Sequence, residues 1–179
     1  MFIENLLYLL WKERVERQLW TQTLAQQLAV SSARIHDLIN GTAPTATELA
    51  NASVSTQITE EDLLYRRLVA DENIFRENIC FLLDTLHHGG QKQLAKTLNV
   101  RAEALSTWRN GTKPRGKTVT QIRQFFGLPD RFDLENSSVF LSIEPVSVFE
   151  KRNWLKRRLE EIDHTNLVEL FPALQRMLH

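Results

Sequence analysis

The residues best placed to do chemistry in this sequence are cations. Lys113, Arg115 and Lys117 fall within the five residues "KPRGK", directly after an Asn-Gly pair at 110–111. Three positive charges on a short loop suit phosphate, and each phosphate neutralised makes binding more sensitive to salt. The charge around them is uneven. The chain carries no net charge, but residues 1–75 hold six Lys/Arg against ten Asp/Glu, residues 76–130 nine against four, and residues 131–179 seven against eight. A local basic face, not a basic whole, is what phosphate requires. His87-His88 is the one metal-like pair, and no Cys or paired carboxylates stand at ligand spacing beside it, so a helix end is expected there and no metal. No nucleophile lies next to a base, no carboxylates pair in a cleft-like context, and no glycine loop suits phosphate. Neither an enzyme nor a cofactor is expected.

The bulk composition agrees with a folded, ordinary chain. At 179 residues, with 42% hydrophobic and 25% charged residues, there is room for one large domain or two small ones. The single cysteine, Cys80, sits in the apolar "NICFLL" and reads as a small core residue in a reducing compartment. "MFIENLLYLLWKE" lacks a basic leading region and is too short to span a bilayer, which predicts a cytoplasmic protein with no membrane contact.

The cations belong to a sentence written twice. "TQTLAQQLAVSSARIHDLINGTAP" from Thr21 and "QKQLAKTLNVRAEALSTWRNGTKP" from Gln91 align at an offset of 70. Leu24/Leu94, Leu28/Leu98, Val30/Val100, Asn40/Asn110, Gly41/Gly111 and Pro44/Pro114 coincide, and Ile35 meets Leu105. "NLLYLL" at 5–10 matches "NICFLL" at 78–83 at an offset of 73, which places a three-residue insertion in "WKERVERQLW". Such a repeat implies duplicated architecture. Helical spacing runs through both copies: Leu6, Leu7, Leu10; then Leu24, Ala25, Leu28; then Ile35, Leu38, Ile39, with Trp108 on the equivalent face of copy two. Ser31 is a predicted N-cap and Asn-Gly a predicted stop. A fourth helix is expected over Thr45–Ala52 and over Thr118–Phe126, the latter closed by Gly127. "TEEDLLYRRLVADENIFREN" predicts one continuous connecting helix, capped by Thr59. "SSVFLSIEPV" (137–146) predicts a short strand or extended segment. Ser147 and Glu150 then open a helix at capping-box spacing, with Phe149, Trp154, Leu155, Leu159 and Ile162 as its apolar stripe, and a final short helix is expected over Pro172–Leu178. Within a fold class read as all-α, the division is a first unit (1–57), a helical connector (58–75), a second unit (76–130) and an extension (131–179).

Each copy resembles the Cro/CI-type helix-turn-helix, also called the XRE family. The family pattern has Gln opening the second helix, then Leu-Ala, a small turn residue, an apolar residue opening the third helix, and a following Asn-Gly. Copy two carries Gln91 at the expected Gln, where copy one has Thr21; the family's turn Gly is Ala29 and Asn99 here. The resemblance covers about residues 2–130 and implies two tandem lambda-repressor-like units.

It also implies where double-stranded DNA would be touched. The third helix of such a unit enters the major groove, its N-terminal residues reaching base edges. In copy two these are Arg101, Ala102 and Glu103, with Ser106 and Thr107 a turn later; Arg101 suits guanine or a phosphate, Glu103 a cytosine amino group, Ala102 a thymine methyl. In copy one they are Ser31, Ser32 and Ala33, then His36 and Asp37, with Arg34 one step round toward a base or the backbone. Gln91, Asn110 and the loop cations Lys113, Arg115 and Lys117 are the expected backbone clamps of copy two, and Thr21, Asn40 and Thr42 those of copy one.

The resemblance thus implies a bacterial, phage or mobile-element transcriptional regulator, a repressor acting by occupancy, and a homodimer. In one arrangement both units read adjacent stretches of an operator, copy one more weakly. In the other, copy one supplies a protein interface, helped by Phe2, Tyr8 and Trp20. The extension either dimerises, contacts a protein partner, or wraps back onto copy two. The alternatives are a helix-turn-helix interaction module in a larger assembly, and a DNA-binding antitoxin. RNA binding has less support, since the aromatics read as buried.

Overall fold

The computed structural model describes residues 1–130 and 132–178, and over these the chain is all-α, with eleven α-helices and no strand. The helices are α1 (Phe2–Lys12), α2 (Trp20–Leu28), α3 (Ser32–Ile39), α4 (Ala46–Thr56), α5 (Glu60–Tyr65), α6 (Asp71–Asp84), α7 (Gly90–Leu98), α8 (Ala102–Arg109), α9 (Gly116–Phe126), α10 (Val148–Glu161) and α11 (His164–Leu178). Short 3₁₀ turns cover Arg17–Leu19 and Val139–Leu141. No helix among the described residues is long and apolar enough to cross a membrane.

The written repeat is also a structural one. α2 and α3 are joined through Ala29 at φ 56°, and α7 and α8 through Asn99 at φ 53°. In both, the second residue after the helix folds its N–H back onto the last turn: Val30 donates to the Ala25 carbonyl at 2.9 Å and Val100 to that of Ala95 at 3.0 Å. This left-handed stop turns the chain within three residues. Gly41 and Gly111 then reverse it again at φ 98° and 96°. Leu24, Leu28, Ile35, Leu94, Leu98, Leu105 and Trp108 are all buried, as their spacing predicts.

Each unit is closed by a buried asparagine. The Asn5 amide donates to the carbonyls of Leu63 (3.0 Å) and Arg66 (2.7 Å), and its oxygen accepts from the Leu68 N–H (3.0 Å). Asn78 does the same with Leu134 (2.8 Å), Ser137 (2.7 Å) and the Phe140 N–H (3.4 Å). Two expectations are corrected by this pair. The connector is not one helix: α5 ends at Tyr65, the chain runs extended near Arg66, and α6 begins at Asp71. The carbonyls freed there belong to Asn5, and the bend lets both Leu63 and Val69 face the core. Residues 137–146 form no strand; Val139–Leu141 is a 3₁₀ turn with three successive buried side chains, its backbone held by Asn78. A lone strand has no ladder to join, whereas an asparagine supplies three backbone bonds in one side chain. Residues 58–70 and 132–146 are thus equivalent closing segments, and the repeat runs past residue 130.

The two units share one core. Trp11 meets Phe81 edge-on at 5.8 Å and Phe140 at 5.8 Å, while its indole donates to Glu77 at 2.9 Å. Burial pushes the Glu77 carboxyl up, but donors from Trp11 and Arg76 and the charge of Lys12 hold it below the ordinary value. The three-residue insertion forms a strap. Arg14 leaves α1 at φ 60°, and Arg17 reaches across to Glu150 and to the Val139 carbonyl (2.9 Å), stacking over Phe81. Burial lowers the Arg17 pKa, and Glu150 offsets part of that. Phe2 and Trp20 are buried inside the chain, so these two are not available to an external interface as expected, and Tyr8 is half-buried: Trp20 is 1% exposed, its indole donating to the Val15 carbonyl.

The tail divides. Residues 132–149 wrap back onto the body, with Phe149 stacked among Phe125 and Phe126. From Lys151 to Glu161 every residue is exposed. α11 starts at His164 and carries Pro172 within it, which replaces the expected short helix over 172–178. The Ser147–Glu150 capping box is formed as its spacing predicts.

Candidate nucleic-acid interface

The two candidate surfaces have one exposure pattern and opposite chemistry. From Ser31 to Asn40 and from Arg101 to Asn110 the sequence of exposed, half-buried and buried residues is identical position by position. Ser31, Ser32, Ala33, His36, Asp37 and Asn40 face solvent in the first unit, as do Arg101, Ala102, Glu103, Ser106, Thr107 and Asn110 in the second. Gln91 is exposed in the first turn of α7; Thr21, its counterpart on α2, is half-buried. Asn40 and Asn110 cap the ends of α3 and α8, and the Thr107 hydroxyl is turned back onto the Glu103 carbonyl at 2.9 Å.

The difference lies at the helix N-termini. A helix start exposes unpaired N–H groups and a partial positive charge, and so attracts an anion. In the first unit both starts are capped by side chains. The Ser31 hydroxyl accepts from the Arg34 N–H at 3.3 Å at the head of α3. At the head of α4, Thr45 and Glu48 form a capping box, with the Glu48 carboxylate accepting from the Thr45 N–H at 2.7 Å. Arg34 is engaged there: Nε donates to Glu48 Oε1 at 2.7 Å, and Nη2 to Glu48 Oε2 and to the Ala43 carbonyl, both at 2.9 Å. The Arg34 hydrogen bonds, followed by those from Thr45, draw the Glu48 pKa down to about 2 despite its burial. A fixed carboxylate thus sits against the N–H groups at the head of α4.

In the second unit those starts are open. Arg101 heads α8 and Arg115 heads α9, and neither side chain caps its helix. Ala104 and Thr118 replace Arg34 and Glu48. Arg101, Arg115 and Lys117 are exposed and form no ion pair among the described residues, while Lys113 reaches Glu135 at 2.6 Å. Glu135 belongs to the closing segment and leaves Lys113 half exposed.

Sequence reading placed the cations correctly on the surface but did not anticipate that Arg34 is withdrawn or that the second unit's helix starts are uncapped. The signal was present: "TATE" at 45–48 has capping-box spacing, and "RGKT" at 115–118 does not. His87 and His88 follow the end of α6, and the His87 ring lies 6.5 Å from that of Phe149. No group of three or more metal-ligating side chains occurs among the described residues. No family model, curated protein or solved structure matches this chain.

Proposed function

We propose that this chain is a sequence-specific double-stranded DNA-binding regulator, a repressor by occupancy, built from two tandem helix-turn-helix units of which the second makes the principal contact. The observation that carries this reading is the pair of open helix N-termini in the second unit, α8 and α9, flanked by Arg101, Lys113, Arg115 and Lys117. Phosphates would seat on the exposed N–H groups and loop cations, with Gln91 and Asn110 beside them, and fix register without reading sequence. Arg101, Ala102, Glu103, Ser106 and Thr107 would then face base edges along one side of α8. No catalysis belongs to this reading.

The first unit favours a different use. With Arg34 bound to Glu48 and both helix starts capped, Ser31, Ser32, Ala33, His36, Asn40 and Thr42 form a small-residue surface without a free cation. Such a surface contributes little to phosphate affinity and suits a weak groove contact or a protein neighbour. The test is selection of pooled genomic fragments by the purified protein at moderate salt, followed by sequencing. A short shared motif supports a sequence reader, and its half-site count states how many units read bases. Fragments retained without a motif, and lost uniformly as salt rises, would reduce the reading to non-specific affinity.

A further inference from the structure

An open cleft of about 940 Å³ lies between the strap and α10. Its walls are the strap at 16–19, the end of α6 at 84–85, the closing segment at Ile143 and Pro145, and one side of α10. Arg17 ties the strap to the Glu150 carboxylate and the Val139 carbonyl, and Phe149 is stacked on Phe125 and Phe126, so each wall is anchored in the body. Most charges of the lining are matched within the chain. Glu150 pairs with Arg17, Glu161 with Arg158, and Asp84 with Arg14 and Arg109. Two exposed side chains are left over among the described residues, and their signs are opposite. Arg157 makes no ion pair or hydrogen bond there, and the Glu16 carboxylate accepts only from its neighbour Gln18. Trp154 and Leu19 present hydrocarbon to the same cleft at 47% and 43% exposure, with the Arg158 guanidinium 5.6 Å from the indole centre.

A plain anion or a plain cation would meet one leftover charge of its own sign in this cleft. The lining suits instead a ligand with an anionic end, a hydrogen-bond-donating end and a flat ring. We propose that the cleft binds a guanine nucleotide, its base lying on Trp154 and Leu19 with the adjacent N1–H and N2–H groups donating to Glu16, and its phosphate held by Arg157. A carboxylate offers only acceptors, so it matches the two adjacent donors of guanine and not the donor–acceptor edge of adenine. A guanidinium takes phosphate in a two-pronged contact, and an exposed indole gives a base a face to stack on. The cleft falls within the roughly 300–1,000 Å³ of ligand sites. A free amino acid would answer both leftover charges but leave most of that space, and the ring, to water. α10 has no buried residue, so an occupant touching both the strap and α10 would hold that helix to the body.

This inference does not depend on the DNA-binding reading, and its test needs no DNA. Titration calorimetry of the full-length protein with GMP should show one site per chain. AMP, guanosine and ribose 5-phosphate, each lacking one of the three contacts, should bind about tenfold more weakly. Arg157→Ala should weaken GMP about tenfold and leave guanosine unaffected, while Glu16→Gln should remove the preference for GMP over AMP. Trp154→Ala should weaken both nucleotides. All three side chains are exposed, so the thermal transition of the body should be retained. Hydrogen exchange at 154–161 should slow when GMP is added. Arg115→Ala should leave GMP binding unchanged, which separates the cleft from the phosphate seats of the second unit. No binding of GMP up to about 1 mM, binding that survives Arg157→Ala, loss on Arg115→Ala, or tighter binding of L-tryptophan than of GMP would each overturn the inference, whether or not the chain binds DNA.

Discussion

Arg34 and Glu48 lock together through two N–H···O bonds of 2.7 and 2.9 Å at the head of α4, and the equivalent positions of the second unit, Ala104 and Thr118, leave the head of α9 open. On the proposed DNA-binding reading, the relationship would let two similar units carry unequal work. An N–H group at a helix start that is bonded internally, to a carboxylate, is not free for an external anion such as phosphate, and the fixed carboxylate repels one. In the first unit a cation of the expected reading helix neutralises the internal carboxylate, so the positive charge expected on the surface is consumed below it.

The Arg34–Glu48 pair makes stability depend on pH in acid. The Glu48 pKa falls from 4.5 to about 2 in the folded protein, so its contribution is complete above the unfolded value and is lost as pH falls through the folded one. Urea unfolding of wild type and Glu48→Gln should therefore differ at pH 7, wild type being more stable. The gap should narrow steadily from about pH 4.5 toward pH 2. A gap independent of pH would mean that the carboxylate's charge does not stabilise the fold.

The open end of α9 gives a quantitative salt prediction. Arg115→Ala/Lys117→Ala should weaken DNA binding about equally across sequences and reduce the slope of log K against log salt by about 1.8, near 0.9 per lost phosphate contact. Arg101→Ala should instead relax discrimination at one base position, by about 1–3 kcal/mol. Glu48→Gln, which loosens Arg34 and removes the carboxylate charge at the head of α4, should strengthen binding and steepen the salt dependence if that charge is what keeps the first unit from DNA. Fluorescence anisotropy across a salt series separates the three.

Asn78 is fully buried and satisfies two carbonyls and one N–H. Asn78→Ala should cost at least about 3 kcal/mol, because it orphans three backbone groups and each costs about 1–3 kcal/mol when buried. Hydrogen exchange should show the amides of 137–141 opening first. An Asn78→Ala variant with protection unchanged at those amides would mean that the side chain does not hold the segment.

Two left-handed residues should respond to substitution in opposite directions. Ala29 sits exposed at φ 56°, and Ala29→Gly should stabilise the protein by about 0.5–1 kcal/mol by relieving that strain. Gly127 sits at φ 62°, where an added Cβ would lie 2.3 Å from the Val148 methyl. Gly127→Ala should cost about 3 kcal/mol, strain and overpacking acting together. Calorimetric midpoints of the two variants test both signs.

Much of this protein was legible in its sequence, because the information was local. The helical class, the core positions Leu24, Leu28, Ile35, Leu94, Leu98 and Leu105, the caps at Ser31, Thr59 and Ser147, and the stop at Gly127 all follow from periodicity and turn chemistry within a few residues. The duplicated sentence announced a duplicated unit, and the charge division pointed to the second copy as the one with a basic face. What tertiary structure decided depends on partners far apart in the chain. Asn5 and Asn78 read only as the opening residues of the matched segments "NLLYLL" and "NICFLL", and only the fold brings them to segments about sixty residues away, breaking the expected connector helix at Arg66 and setting a 3₁₀ turn where a strand or extended segment was expected at Val139. Arg17 reads as one charge in a mixed run until the strap places it under Glu150. Arg34 reads as a free cation until Glu48, fourteen residues on, comes within 2.7 Å of it. Periodicity states which face of a helix is apolar; it does not state which polar group will meet which orphaned carbonyl or cation, because that pairing is settled only when packing brings distant segments together.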